Sequence, residues 1–202
     1  MKLYYKPGAC SLASHIALRE SEADFEIEKV DTKIQKTETG DDFQKINIKG
    51  VVPVLKLEDG QFLTEGPAIL QYIADKHPRA GLAAEPGTLE RARINEHLTY
   101  VSSELHPAFA PLFSASATDE QKKAARNKVG LKLDYINKLL SDGRDYLVAN
   151  SFSIADAYLF TASSWCGFVG IDMSKWSDLS SYVNRVSSRE KVQIALKAEG
   201  LA

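Results

Sequence analysis

The sequence predicts an α/β domain with a mixed four-stranded sheet, followed by an all-helical domain. Three observations carry that expectation. Short alternating or β-branched runs bounded by turn residues occur only in the first part of the chain. The stretch His77–Gly87 then holds two prolines and two glycines with few bulky residues, the composition of a linker. Beyond it, apolar residues recur at spacings of three and four, the period of helices. The expected domains are therefore residues 1–80 and 81–202, with the linker at about 77–87.

Lys2–Lys6 alternates as a strand, and Pro7-Gly8 signals a turn. Leu12, Ala13, Ile16 and Ala17 mark a helix, with Cys10 and Ser11 at its start. Phe25–Val30 alternates again, with Phe25 and Ile27 expected on the core side. Residues 31–50 are polar and irregular apart from a short helix within Asp41–Ile46. Val51–Leu57 is a β-branched strand interrupted by Pro53, where proline fits an edge and the Val52-Pro53 bond is a candidate for cis. Asp59-Gly60 turns the chain into a partner strand at Gln61–Leu63. Thr64-Glu65-Gly66-Pro67 opens a helix whose stripe is Ile69, Leu70 and Ile73. A strand pair joined by a helix is parallel and one joined by a two-residue turn is antiparallel, so the sheet is mixed, in the thioredoxin-like arrangement.

In the second part, Ile94, Leu98, Val101, Leu105, Ala108 and Leu112 form one helical stripe, which Pro107 and Pro111 should bend. Ala125, Val129, Leu133, Ile136 and Leu140 make a second long helix. Ser153 and Asp156 fit a capping box that starts a helix through Tyr158, Trp165 and Phe168. Shorter helices around Trp176–Ser188 and Glu190–Glu199 complete the domain.

With 25 basic and 27 acidic residues, the net charge of −2 offers no basic excess for nucleic acid. No apolar stretch approaches a membrane span, no signal-peptide pattern precedes the first strand, and the expected address is cytoplasmic. Cys10 and Cys166 are too few and too far apart for a disulfide framework, and His15, His77 and His97 have no metal-ligand spacing. No metal or cofactor is expected.

Cys10 and Ser11 stand where a strand hands over to a helix N-terminus, whose free N–H groups and dipole favour an anion. A thiol of pKa ~8.5 is only about 3% ionised at pH 7. Bringing it to ~6.5 needs roughly 2.7 kcal/mol, more than the ~0.3–2 kcal/mol a helix terminus offers. Hydrogen bonds from Ser11 or local amides would supply the rest. The competing reading makes Cys10 a small apolar residue and Ser11 a cap. Ala13 excludes a Cys-x-x-Cys pair, so a second thiol must come from a ligand. Val52 beside Pro53 offers a backbone edge to an extended peptide, while Glu65 and the Gly66 N–H suit the ammonium and carboxylate of an amino-acid head.

The segments KPGACSLASHIALRE, NIKGVVPVL, TEGPAILQYIAD, TYVSSELH and FSIADAYLF resemble a bacterial glutathione S-transferase of the beta (cysteine) class along essentially the whole chain. The resemblance implies a homodimer that binds glutathione as co-substrate at its N-terminal domain and conjugates it to small, mainly apolar electrophiles. It makes Cys10 the active-site thiol, able to form a mixed disulfide, with Ser11 and His106 beside it in the chemistry. It implies that Val52, with Pro53, holds the cysteinyl backbone and that Glu65 and Gly66 hold the γ-glutamyl end. Thr99, Ser103, Glu104 and His106 would reach glutathione from the partner subunit, and 99, 103 and 106 share one face of an ideal helix. Gln35 stands where the family usually carries a basic residue, with Lys33 and Lys36 close by, and Thr99 replaces a common Asn. Phe113 and Trp165 are candidates for the electrophile's apolar wall, although core packing explains both. A disulfide reductase or peroxidase with little conjugation, and a non-enzymatic ligand carrier, are the alternative functions.

Overall fold

The computed structural model describes residues 1–148 and 150–202. They form two compact units, Met1–Ala83 with Arg189–Ala202, and Ala84–Ser188.

The first unit is built on β1 (Lys2–Tyr5), α1 (Ser11–Glu20), β2 (Glu26–Asp31), β3 (Lys36–Thr37), α2 (Phe43–Ile46), β4 (Val54–Lys56), β5 (Phe62–Thr64) and α3 (Gly66–Lys76). The sheet order is β3-β2-β1-β4-β5. β1 runs parallel to β2, with Leu3 opposite Ile27, and antiparallel to β4, with Leu3 opposite Leu55. The central strand is thus covered on both faces, and Leu3, Tyr4 and Tyr5 are all buried. The hairpin after Asp59-Gly60 forms as its residues dictate, with Gly60 at φ +84°.

The sheet has five strands, one more than expected. Lys36–Thr37 pairs with Val30 and Asp31 inside the stretch read as irregular. Two residues are too short for alternation to show, so the signal is absent by construction. On β2 the buried residues are Glu28 and Val30, while Phe25 and Ile27 are only half-buried. Val30 joins Tyr4, Phe43, Val52 and Val54 in a core cluster that Ala9 and Ile46 flank. Glu28 tolerates burial because Lys2 and Thr39 both donate to its carboxylate.

The single boundary expected near residue 80 is not what the fold shows. Helix α9 (Glu190–Ala198) returns to pack on α1 and belongs with the first unit. Arg189 binds Glu20 with two nitrogens at 2.6 and 2.8 Å, and Lys191 meets Glu22 at 3.1 Å. This explains why every residue of α1 from Ser11 to Leu18 is buried, where the sequence showed only a stripe. The covering element lies far along the chain, beyond the reach of local periodicity.

The second unit is helical: α4 (Leu89–Tyr100), α5 (His106–Phe113), α6 (Asp119–Leu140), α7 (Ile154–Phe168) and α8 (Ser177–Ser187). Thr118 and Gln121 cap α6, and its predicted stripe from Ala125 to Leu140 is buried throughout. Asp156 accepts from the Ser153 N–H and hydroxyl, the Leu147 N–H and the Tyr182 hydroxyl, at 2.7 to 2.9 Å. Four donors satisfy a carboxylate with no exposure.

Between α4 and α5 the chain makes a π-helical turn, Val101–Leu105. Pro107 has no N–H to offer the turn before it and crowds the Ser103 carbonyl. Passing to longer i→i+5 bonds relieves both problems and takes an extra residue into the turn, which shifts the phase of the helix that follows. The Ser102 and Ser103 hydroxyls both donate to the Thr99 carbonyl, which stabilises the widened turn from outside. The expected bend is thus a local over-length turn.

Candidate functional site

In the first unit, the loop Lys6–Cys10 carries the thiol from β1 to the mouth of α1. The Ala9 N–H donates to the Lys6 carbonyl at 3.0 Å, and Gly8 has φ +69°. Ser11 fastens the same loop: its hydroxyl accepts from the Lys6 N–H at 3.1 Å and donates to the Lys6 carbonyl at 3.2 Å. Ser11 was one of two candidate donors to the sulfur, the local amides being the other. It is fully buried with its proton committed to Lys6, so its role is to hold the loop.

Glu199 holds that loop from behind. Its carboxylate accepts from the Gly8 N–H at 2.9 Å and lies 2.9 Å from His15 Nδ1, with both side chains fully buried. Arg19 Nε donates to His15 Nε2 at 3.3 Å, which continues the chain of contacts along α1. Nothing in the sequence pointed to Glu199, because a glutamate near a helix end looks like any solvated charge.

Cys10 is part-buried, and its Sγ donates to the Val52 carbonyl at 3.3 Å. The sequence left its protonation state open, and burial pushes the thiol up to about 11. The N–H groups of Cys10 and Ser11 pull the other way but do not offset the lost solvation, and the Glu65 carboxylate adds to the rise. In the chain alone, Cys10 is a neutral thiol and a hydrogen-bond donor.

The Val52-Pro53 peptide is cis, and Val52 is buried at the edge of the sheet core. The loop that delivers it is fastened by Asn47, another residue without a sequence signal. The Asn47 side chain donates to the Val51 carbonyl at 2.8 Å and accepts from the Lys49 N–H at 3.2 Å. Gln35 serves the same loop. Its Nε2 donates to the carbonyls of Thr32 and Gly50, at 2.7 and 3.1 Å. Gly50 has φ +66°, which favours glycine, and a Cβ there would lie 2.9 Å from Gln35 Oε1 and have to displace that amide.

Glu65 precedes α3 with φ +69°, a left-handed value unusual for glutamate. Its carboxylate is exposed and accepts from Lys49 Nζ at 2.6 Å. Gly66, the first residue of α3, has nothing within 4 Å of where a Cβ would stand. Backbone conformation thus aims Glu65 outward beside an open helix start.

The remaining candidates belong to the second unit. Thr99 and Ser103 are exposed. Glu104 is exposed and paired with Lys132. His106 leaves their face: its Nδ1 lies 2.7 Å from the Tyr158 hydroxyl and its ring centre 4.7 Å from that of Trp165. The phase shift introduced by the π turn explains why the i, i+4, i+7 spacing fails here. Burial lowers the pKa of His106, leaving the ring neutral at pH 7. Trp165 is only 4% exposed and packs on Phe109 and His106, so it is a core residue, not an open wall. Phe113, edge-on to Trp165 at 5.9 Å, is 54% exposed and is the ring that offers an apolar face. Cys166 is fully buried, its pKa raised to about 12 by burial. Among the described residues no group of three or more His, Cys, Asp or Glu is placed to hold a metal, and no helix is long and apolar enough to cross a membrane.

Comparison with known proteins bears on both units. Residues 8–76 match the family described as glutathione S-transferase, N-terminal domain, and residues 100–190 match glutathione S-transferase, C-terminal domain. The chain is 45% identical over 201 residues to Glutathione S-transferase GstA of Escherichia coli O157:H7, covering 100% of both. Among solved structures it is 50% identical to a sphingomonad glutathione S-transferase complexed with glutathione (TM-score 0.96) and 50% identical to a bacterial beta class enzyme of Sphingomonas chungbukensis (TM-score 0.97), each covering 100% of both chains.

Proposed function

Since the chain belongs to the glutathione S-transferase family and is an enzyme of that kind, we propose that its two chemistries divide at Cys10. One is conjugation of glutathione to small, mainly apolar electrophiles. The other is thiol–disulfide exchange through Cys10 itself. Glutathione lies along Val52 with its γ-glutamyl end at Glu65 and Gly66, as a peptide added to a sheet edge. Thr99, Ser103 and Glu104 reach it from a partner subunit of a cytoplasmic homodimer.

The observation that carries this reading is the neutral Cys10 thiol, held at 3.3 Å from the Val52 carbonyl at the mouth of α1. As a protonated donor it can turn its hydrogen to an incoming glutathione thiolate. The ligand's sulfur then keeps its charge, stabilised by that donor and by the N–H groups of Cys10 and Ser11. The thiolate attacks the electrophile, a carbon–sulfur bond forms, and the leaving group departs with the electron pair. Cys10 remains a thiol throughout.

Exchange makes a different demand. The Cys10 thiol must first lose its proton to solvent. The thiolate then attacks the glutathione sulfur of a mixed disulfide, forming a Cys10–glutathione disulfide and expelling the other thiolate. A second glutathione thiolate attacks that bond, giving oxidised glutathione and regenerating Cys10.

Cys10→Ala separates the two. Conjugation of a haloaromatic should fall by only about fivefold, the value of one neutral hydrogen bond of ~1 kcal/mol. Reduction of a glutathione mixed disulfide should fall by about a hundredfold or more, because the nucleophile is gone. Similar losses in both assays would refute the division.

A further inference from the structure

We infer that Lys49 reads the α-carboxylate of the ligand's γ-glutamyl head and is a specificity-determining residue of the enzyme. This rests on the placement of glutathione argued under Proposed function.

Lys49 Nζ lies 2.6 Å from Glu65 Oε1 and 3.1 Å from Thr64 Oγ1. An ammonium has three N–H donors, so two are committed and the third has no partner among the described residues. The side chains of Lys49 and Glu65 are 48% and 68% exposed. A pair so open to solvent adds little to stability, and holding the fold together does not account for its geometry.

What the pair presents is a positive and a negative charge side by side at the start of α3. An α-amino-acid head carries the same two charges in the opposite sense. With its ammonium at Glu65 and its carboxylate at Lys49, the four charges alternate in a closed ring. The uncommitted N–H of Lys49 becomes a charge-assisted bond, and neither existing contact of Nζ has to break.

The stem of Lys49 is set for this. Asn47 is buried and accepts from the Lys49 N–H, the Gly50 N–H donates back to the Asn47 carbonyl at 2.8 Å, and Gln35 donates to the Gly50 carbonyl. The loop is fixed on both sides of residue 49, so only the side chain is free to adjust. Gln35 is neutral and has its amide nitrogen spent on the carbonyls of Thr32 and Gly50. The cation that the fold sets against Glu65 comes from Lys49.

The test is calorimetric titration of the wild-type enzyme, Lys49→Gln and Lys49→Arg with two S-methylated peptides. One is S-methylglutathione. The other is S-methyl 4-aminobutanoyl-cysteinyl-glycine, the same peptide without the α-carboxylate. Lys49→Gln should weaken the first by about tenfold and change the second by less than about twofold, and Lys49→Arg should recover to within about threefold of wild type. Equal weakening of both peptides, or unchanged or tighter binding of S-methylglutathione by Lys49→Gln, would overturn the role of Lys49 alone. Failure of the wild-type enzyme to bind S-methylglutathione would overturn the placement of the peptide, and Lys49 with it.

Discussion

Cys10 shows how two effects on one atom are decided by magnitude. A helix terminus and two N–H groups stabilise a thiolate by one or two kcal/mol at most, whereas burial of an anion without a countercharge costs more. The result is a thiol with a pKa of about 11. Ultraviolet titration of the Cys10 thiolate in the ligand-free enzyme, with Cys166→Ala as background, should show no ionisation near neutral pH and a midpoint near 11. A midpoint at or below about 8 would reverse the balance. The linkage has a definite sign. The folded state holds this proton more tightly than the unfolded chain, whose thiol titrates near 8.5. The stabilising contribution is therefore complete below about pH 8.5 and is lost as pH rises through 11. The sequence showed that a thiol stands at a helix mouth, since strand, turn and helix are local patterns. It did not show the protonation state, because desolvation depends on everything packed around the sulfur.

At the level of elements, the same division between local and distant information recurs in α9. Its existence was legible from periodicity, and its partner was not. Packed on α1, it brings Glu199 to Gly8 and His15, so the last helix fixes the loop of the first. Removing one member of a fully buried pair leaves the others without partners, at a cost of about 3 kcal/mol. Glu199→Ala should accordingly lower the melting temperature by roughly 6–12 °C for a chain of this size. A shift of less than about 2 °C would mean that the carboxylate does not fasten the loop. The π turn teaches a related lesson. Pro107 announced a disturbance, but proline alone does not say whether a helix kinks, ends or takes an extra residue into one turn. The choice of a π turn carried His106 to Tyr158 and Trp165, so the face assigned by spacing does not extend to it, while Thr99 and Ser103 are both exposed.

For the whole molecule, the proposal of a site shared between two copies rests on what each chain leaves uncovered. The net charge of −2 is small, so like-charge repulsion does little to keep copies apart. Ile48 is 90% exposed in the first unit and Leu131 68% in the second, apolar side chains of the kind self-association covers. On α4 and the turn after it, Thr99 and Ser103 are exposed. The Ser103 proton is held by the Thr99 carbonyl, but its oxygen lone pairs remain able to accept from a ligand N–H. The double variant Thr99→Ala with Ser103→Ala tests whether that capacity is used. It leaves His106 and its aromatic contacts intact, so the core of the helical unit is undisturbed. If glutathione is held from the partner's helix, calorimetry should show binding weakened by about fivefold, as one or two neutral hydrogen bonds are lost. Sedimentation should meanwhile report a dimer for the variant as for the wild type. Unchanged affinity would exclude these two side chains from the site, and a monomeric wild-type enzyme that binds glutathione fully would exclude sharing altogether. The two measurements fail independently, which separates the composition of the site from the assembly that completes it.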